Sequence, residues 1–295
     1  MGFKSALLQE VWEKDFYARS SELEWKRTFS KNFALVKLLD YSKSAKKILD
    51  SGCGDGRIIS AIWRRDARFW GADLSKRAIS SAQTRFRSKR NVDFTVGDLE
   101  KLPYKNSSFD LVYSTYTLEH TESPERIVGE MIRVTKLEGL LIFACPNFGS
   151  PFQPSGNKSL NGDSLKVRAL KNFIKSHIYL IFKPKSLDWS RVVPRVLEEG
   201  KWQSDWDATC EPYMQTLLIF LRKKGLSIIE TSSGLENQKA QKNGNLPFRF
   251  KILKTVRIFF EFLGRMGISP YKYFGPTLFV VARRKESLFS RKTRK

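Results

Sequence analysis

Residues 47–59 read KILDSGCGDGRII, in which a short apolar run and an aspartate lead into Gly52, Gly54 and Gly56. A strand that passes through a glycine turn into a helix leaves free backbone N–H groups at the helix N-terminus, and their usual ligand is a phosphate. The spacing G-x-G-x-G is not the dinucleotide-binding pattern G-x-G-x-x-G, and the Gly-Lys-Ser/Thr of a P-loop is absent. Asp50 and a second aspartate flank the turn and would repel a pyrophosphate. We therefore expect a ligand that is neutral or cationic where it meets Asp50.

Beyond this turn, short apolar strands alternate with helical segments. The strand patterns are KKILDSG, ARFWGADLS, VDFTVGDLE, SFDLVYSTYT and GLLIFACPN. This rhythm predicts an α/β fold with a doubly wound, parallel sheet. Ligands of such sheets bind at the carboxyl ends of the strands, where the glycine turn lies. After residue 147 the rhythm stops, and it resumes near residue 213 with further helix and strand patterns.

Four motifs together resemble one enzyme family. ILDSGCGDG, FWGADLS and the long stretch from VDFTVGDLE to LLIFACPN are similar, in order and spacing, to the class I S-adenosylmethionine-dependent methyltransferases, in the branch often called methyltransferase domain 11. The resemblance covers residues 46–147. It implies a Rossmann-like, seven-stranded, mostly parallel sheet with helices on both faces, and S-adenosyl-L-methionine as the cofactor. The second half of the chain then adds a basic helical insertion.

The resemblance also assigns residues to the cofactor. Its sulfonium and α-ammonium groups suit the carboxylate of Asp50. By family position, Asp73 would accept the ribose hydroxyls, and Asp98 would face the adenine amino group beside the backbone N–H of Leu99. For each of these acids a helix cap or a turn is the alternative role. The residues expected to bind the cofactor are Asp50, Gly52, Cys53, Gly54, Gly56, Asp73, Leu74, Asp98, Leu99 and Thr115, and no metal is expected.

Methyl transfer needs a base only when the acceptor is a weak acid such as an alcohol. His120, in YTLEHTESP after the fourth strand, is the candidate catalytic residue, and a role in lining the site is the alternative. The other histidine, His177, is expected to be a packing residue. The stretch WQSDWDATCEPY holds Asp205, Asp207 and Glu211 among aromatic residues. It could supply a carboxylate base and a wall for sugar stacking, or simply the acids of a helix N-terminus.

Two classes of acceptor are disfavoured. Enzymes that methylate amino groups of nucleic acids carry Asn/Asp-Pro-Pro-Tyr after the fourth strand, where this chain reads STYT. Cytosine-C5 enzymes need a cysteine nucleophile in a Pro-Cys motif there, which is also missing. A ribose or tRNA-base methylase is not excluded by either absence.

The net charge of +23 lies mostly in the second half: residues 1–48 carry +4, residues 49–146 carry +2, and residues 147–295 carry +17. Such a field attracts an anionic partner, although a merely lysine-rich surface is the alternative. Residues 249–266 form a basic amphipathic pattern that suits an anionic membrane surface, unless the helix covers the sheet. Its apolar face is expected to hold Ile252, Val256, Phe259, Phe260 and Leu263.

The first residues lack the apolar core of a signal peptide, and no stretch approaches the roughly 18 apolar residues of a membrane span. Three cysteines without a CxxC pair indicate a reducing compartment. We therefore expect a cytoplasmic protein, with peripheral contact at the inner membrane face as an option.

Five segments are expected. They are an N-terminal helical lid (1–45), the cofactor-binding core (46–147), a substrate-recognition insertion (148–210), the C-terminal part of the sheet with an amphipathic helix at 249–266 (211–285), and a basic tail (286–295).

The leading functional hypothesis is O-methylation of a sugar or glycolipid in cell-envelope polysaccharide biosynthesis. PNFGSPF and DWDATCEPYMQTLLIFLRKKGL are similar, more loosely, to methyltransferases of bacterial surface-polysaccharide clusters. The expected partner is a small-molecule, glycan or glycolipid acceptor. A quinone- or lipid-like small molecule, RNA, and a non-catalytic role are the alternatives, with nucleic acid less favoured.

Overall fold

The computed structural model describes residues 12–14, 33–195, 205–235 and 248–285, and the side chains of the last range from residue 255. The expected basic tail (286–295) and most of the expected lid (1–45) lie outside the described residues. The described end of that lid is a helix, Phe33–Ser42, which packs on the sheet through buried Ala34 and Leu38.

Ten strands are described, and seven of them form the central sheet. Their bounds are β1 Lys47–Ser51, β2 Arg68–Asp73, β3 Val92–Val96, β4 Phe109–Thr115, β5 Thr135–Pro146, β6 Lys158–Ser159, β7 Ser190–Val193, β8 Cys210–Glu211, β9 Leu226–Ser232 and β10 Thr277–Arg284. The sheet order is β3-β2-β1-β4-β5-β10-β9. Strands β1 to β5 pair in parallel, and β10 lies antiparallel between β5 and β9. The predicted Rossmann-like, mostly parallel sheet is confirmed.

Helices cover both faces of this sheet. Those described are α1 Phe33–Ser42, α2 Arg57–Ile62, α3 Lys76–Arg85, α4 Pro124–Val134, α5 Leu165–Ile181, α6 Met214–Lys223 and α7 Phe248–Arg265. Side chains alternate across each strand: Ile48 of β1 packs with Leu38 of α1, while the adjacent Leu49 packs in the same core as Met131 of α4. This alternation explains why the strands are apolar almost throughout.

Local signals set the ends of the helices. The Ser75 side chain accepts the N–H of Ala78 at 3.1 Å and caps α3. Pro124 begins α4, where its missing N–H has no helical partner to lose. Because β1, β2 and β4 are neighbours and parallel, the loops after them meet at one edge of the sheet.

The insertion between β5 and α6 contains structure that the sequence pattern did not predict. Strands β6, β7 and β8 form a small three-stranded sheet, and helix α5, Leu165–Ile181, lies in the same insertion. Arg168 of α5 is buried and pairs with Glu211 of β8 at 2.5 Å. This ion pair ties the helix to the small sheet.

The predicted helix at 249–266 is present as α7, but its faces are divided differently. Phe260 points inward, where its ring contacts those of Phe173 (5.3 Å) and Tyr271 (4.9 Å). Val256 and Phe259, expected on the same face, are exposed instead, together with Phe262. The side chain of Ile252, also expected there, lies outside the described residues. Among the described residues, no helix has the length and apolarity that crossing a membrane requires.

Candidate active site

The glycine turn leaves one position open to a ligand. Gly52, Gly54 and Gly56 have φ angles of +90°, +51° and +77°, which glycine adopts without steric cost. A Cβ on Gly52 would lie 2.3 Å from the Thr117 side chain, so packing against the loop after β4 requires this glycine. A Cβ on Gly54 would meet nothing within 4 Å, so Gly54 borders open space. A ligand can therefore approach the backbone at Gly54.

Asp73, at the end of β2, is tied to the glycine turn. Its Oδ2 accepts the N–H of Gly54 at 2.8 Å, and its Oδ1 accepts the N–H of Ser75 at 2.9 Å. The N–H of Cys53 donates to the carbonyl of Ala72 at 3.1 Å. The ends of β1 and β2 are thus held together, and each carboxylate oxygen keeps a lone pair for a further donor.

Asp50 is a buried carboxyl whose two oxygens have no hydrogen-bond partner in the structure. Burial raises the pKa of Asp50 well above its usual value, partly opposed by the neighbouring Tyr113 hydroxyl. A buried carboxyl without a partner is unfavourable, and a cation at the strand end would compensate it. Asp50 therefore fits the cationic part of the expected cofactor.

Asp98 performs the alternative role foreseen for it. Its side chain is exposed, and Oδ1 accepts the N–H of Glu100 at 2.8 Å, which caps the short 3-10 helix Leu99–Lys101. Its contact with the adenine stays a prediction, as do those of the other expected cofactor residues. Of these, Leu74 follows β2, Thr115 ends β4, and Cys53 is buried in the glycine turn.

An acidic cluster is assembled around His120. This histidine ends a 3-10 turn, Leu118–His120, directly after β4. The insertion covers the turn, since the N–H of Thr209 donates to the carbonyl of Glu119 at 2.8 Å. The segment before β8 thereby brings Asp207 to the histidine, with Asp207 Oδ1 3.3 Å from His120 Nδ1.

Glu119 completes the cluster and was not predicted as a site residue. Its side chain is fully buried, and Oε1 lies 3.8 Å from Nε2 of His120. Neither carboxyl oxygen has a hydrogen-bond partner in the structure. On the opposite side of the ring, Trp12 Nε1 donates to Asp207 Oδ2 at 3.0 Å and orients that carboxylate. The sequence offered one signal for Glu119, its place beside His120.

Two groups of the cluster have pKa values raised above their usual range. Burial raises the pKa of Glu119 to about 8, against an opposing effect of the adjacent imidazole. Burial alone would lower the pKa of His120, but the carboxylates of Asp207, Glu119 and Asp205 outweigh it and raise that pKa to about 9. A group whose pKa lies close to the working pH is an effective general base. Once Glu119 has ionised, at a pH near or above its pKa, the cluster can accept a proton from a bound molecule.

Glu119, His120 and Asp205 each offer one ligand atom, and these atoms lie within 4.8 Å of one another. Such a set of oxygen and nitrogen ligands could hold a divalent cation. The expectation of no metal stays a prediction.

Two residues singled out in the sequence lie elsewhere. Glu211 accepts hydrogen bonds from Arg168 Nη1 at 2.5 Å and from the N–H of Ser155 at 2.8 Å, so it anchors the insertion and is not available as a base. His177 lies in α5 with its ring centroid 4.5 Å from that of Phe173. It is a packing residue, as predicted.

Comparison with known proteins identifies the domain that carries the glycine turn. Residues 49–143 match the family described as Methyltransferase domain. Norajmaline N-methyltransferase of Rauvolfia serpentina is 31% identical over 61% of this chain and 61% of its own length. Malonyl-[acyl-carrier protein] O-methyltransferase of Pectobacterium atrosepticum is 34% identical over 36% of this chain and 41% of its own. The chain thus spans less than two thirds of either relative.

Solved structures share the fold. An S-adenosylmethionine-dependent methyltransferase from Clostridium acetobutylicum superposes with a TM-score of 0.52 at 13% identity, covering 92% of this chain and 99% of that one. A second such protein, from Listeria monocytogenes, gives 0.51 at 18% identity, covering 89% and 98%. Residues 49–143 form a methyltransferase domain of the branch expected from the sequence, and S-adenosyl-L-methionine is its cofactor. The likeness to the solved structures shows the shared fold.

Proposed function

We propose that the chain transfers a methyl group from S-adenosylmethionine to a hydroxyl group of a small-molecule acceptor. The observation that carries this proposal is the cluster after β4, in which the buried Glu119 and Asp207 lie beside opposite ring nitrogens of His120. A hydroxyl must lose its proton when it becomes a methyl ether, so it benefits from a positioned base. The cluster supplies one.

The cluster adjoins the cofactor end of the sheet. S-adenosylmethionine supplies the electrophilic methyl group. The Thr117 hydroxyl donates to the carbonyl of Gly52 at 3.3 Å, so the loop that carries Glu119 and His120 packs directly on the glycine turn. Alignment of the acceptor and exclusion of water account for much of the acceleration of such a transfer. A positioned base adds roughly 10²–10⁴-fold.

We further propose that the acceptor is a sugar or glycolipid of cell-envelope polysaccharide biosynthesis. The charge of +17 in residues 147–295 supports this class, because it would attract a phosphorylated or lipid-linked acceptor. Trp206 lies between the two aspartates of the cluster in sequence, and the Arg195 guanidinium covers its ring at 4.8 Å. The other face of that indole would suit a sugar ring.

N-methylation of an amine is the second candidate. Glu119, Asp205 and Asp207 would attract an ammonium group, and the same cluster could remove its proton before transfer. The similarity to norajmaline N-methyltransferase favours this candidate. A quinone-like acceptor is a further alternative. It is favoured by the similarity to a ubiquinone biosynthesis O-methyltransferase of Idiomarina loihiensis over 35% of this chain. RNA is another alternative.

Transfer of a tritiated methyl group into a fractionated lysate separates these candidates. The purified chain and labelled S-adenosylmethionine are added, and lipid, soluble glycan, small-amine, RNA and protein fractions are counted. The proposal predicts label in the glycan or lipid fraction. This label should survive mild alkali, because a methyl ether is stable to it. Label in amines would favour the second candidate, and label in RNA would contradict both.

A further inference from the structure

Helix α5 turns its apolar side to solvent. The side chains that it buries are polar, namely Arg168, Asn172 and Ser176. A surface helix normally shows the reverse arrangement, with apolar residues inward. The inversion is fixed by the ion pair between Arg168 and Glu211, which holds the polar face against the insertion. The exposed apolar residues on the other side are Leu170 (60%), Ile174 (49%), Ile178 (45%) and Ile181 (75%).

Helix α7 adds a second exposed apolar stripe. Phe259, Phe262 and Met266 recur at helical spacing and are 55%, 57% and 63% exposed. The two helices touch, because the rings of Phe173 of α5 and Phe260 of α7 are in contact at 5.3 Å. Large aromatic and aliphatic side chains are therefore exposed on neighbouring helices of one region.

The same region is strongly basic. Residues 158–185 hold six Lys and Arg besides the buried Arg168 against one acid, and residues 248–272 hold six against one, for a net charge of +10. Lys183 is exposed just past the end of α5. Basic residues that flank exposed apolar side chains are the pattern by which a protein binds an anionic lipid surface.

We propose that α5 and α7 form a docking surface for an anionic lipid bilayer. The apolar side chains would enter the boundary between headgroups and acyl chains while the lysines and arginines meet the lipid charge. A second copy of the chain is a poorer occupant, since it would place a net charge of +10 against another of +10. An RNA strand would leave the aliphatic residues in water. The inference concerns the surface alone and does not rest on the identity of the methyl acceptor.

Co-sedimentation with vesicles tests this surface without any need for turnover. The full chain is mixed with vesicles of phosphatidylcholine, or of phosphatidylcholine with about 30 mol% phosphatidylglycerol. We expect binding to the second kind that weakens with added salt. Ile174→Glu should reduce the bound fraction by about tenfold or more, because it places a carboxylate against anionic lipid. Leu137→Glu is the matched control, since Leu137 is 50% exposed in the cofactor core, and it should bind as the wild type does.

Two charge-reversal variants test the contribution of the basic residues. Lys183→Glu should weaken vesicle binding, while Lys105→Glu, at an exposed position of the core, should not. Melting temperature and cofactor binding, measured on each variant, confirm that the fold is intact. Equal binding to neutral and anionic vesicles, or full binding by Ile174→Glu, would overturn the proposal. So would a dimer in sedimentation velocity that Ile174→Glu dissociates, since the surface would then belong to a second copy.

Discussion

Nδ1 of His120 lies 3.3 Å from Oδ1 of Asp207, although one residue follows a strand of the cofactor core and the other belongs to the insertion. The acidic cluster around His120 is therefore completed by the insertion. The N–H of Thr209, bonded to the carbonyl of Glu119, fixes this approach. Methyltransferase cores of one fold can thus acquire different acceptor chemistry from the segment inserted after β5.

Replacing His120 by Asn should lower the rate of methyl transfer by roughly 10²–10⁴-fold, the usual contribution of a positioned base. The dissociation constant of S-adenosylmethionine should change little, because the cluster lies on the acceptor side. His177→Asn is the control, since this second histidine packs in α5. Single-turnover rates and calorimetric measurement of cofactor binding check both variants. An unaltered rate in His120→Asn would mean that His120 lines the site and is not the base.

Stability should fall as the pH rises from about 4.5 to about 9, because Glu119 and His120 lose their protons over this range. Glu119 has a pKa of about 8 in the folded protein against 4.5 as a model value, and His120 has about 9 against 6.5. Both groups bind a proton more tightly in the folded state. The free energy of unfolding therefore decreases as the rising pH removes these protons. Glu119→Gln should therefore flatten the dependence of melting temperature on pH. A wild-type melting temperature that rises over this range would contradict the assignment.

Two glycines of the turn should respond differently to alanine. Gly54→Ala meets no atom within 4 Å, so its cost is the left-handed backbone conformation, about 1–2 kcal/mol, and its main effect should be weaker cofactor binding. Gly52→Ala has the same backbone cost and adds a Cβ 2.3 Å from Thr117. It should lower the melting temperature more than Gly54→Ala does. Equal destabilisation by the two would mean that Gly54 does not border open space.

Asp73→Ala should weaken the binding of S-adenosylmethionine by about tenfold or more, since it removes the carboxylate that family position assigns to the ribose hydroxyls. It also removes the acceptor of the Gly54 and Ser75 N–H groups, at a cost of about 1–3 kcal/mol in unfolding free energy. Asp66→Ala, which breaks only exposed ion pairs, is the control. Calorimetry and thermal unfolding measure the two effects. Unchanged cofactor affinity would contradict the assignment of Asp73 to the ribose hydroxyls.

Arg168→Met should destabilise the protein by about 3–5 kcal/mol, because it leaves the buried Glu211 carboxyl without its partner. The double variant Arg168→Met with Glu211→Leu should recover much of that loss. Lys171→Met, which breaks an exposed pair with Asp163, should cost less than about 1 kcal/mol. Urea unfolding of the four proteins gives the comparison, and a double variant no more stable than the single one would show that the charge is not the cause.

The sheet and the glycine turn could be predicted from the sequence because both depend on local patterns. Strand and helix periodicity is readable in short windows, and the parallel order brings Asp50 and Asp73 to one edge. The role of Glu119 could not be predicted in this way. Its burial is produced by residues 205–211, which are distant in sequence and lie over the turn at Leu118–His120.

The sequence also did not predict which sides of α5 and α7 are exposed to solvent, for a related reason. Apolar residues at helical spacing normally mark the side of a helix that packs on the core. In α5 the buried side is decided instead by Arg168, whose partner Glu211 belongs to another element. In α7 the ring of Phe260 occupies the inward position, which leaves Phe259 outside.

The pH dependence of methyl transfer, measured with the labelled fraction as acceptor, tests the central claim most directly. If Glu119 and His120 accept the proton of the acceptor, the wild-type rate should rise with pH as the group of pKa about 8 ionises. Glu119→Gln should then abolish or shift that rise while it leaves cofactor binding intact. A Glu119→Gln variant with the wild-type rate and pH profile would contradict the account.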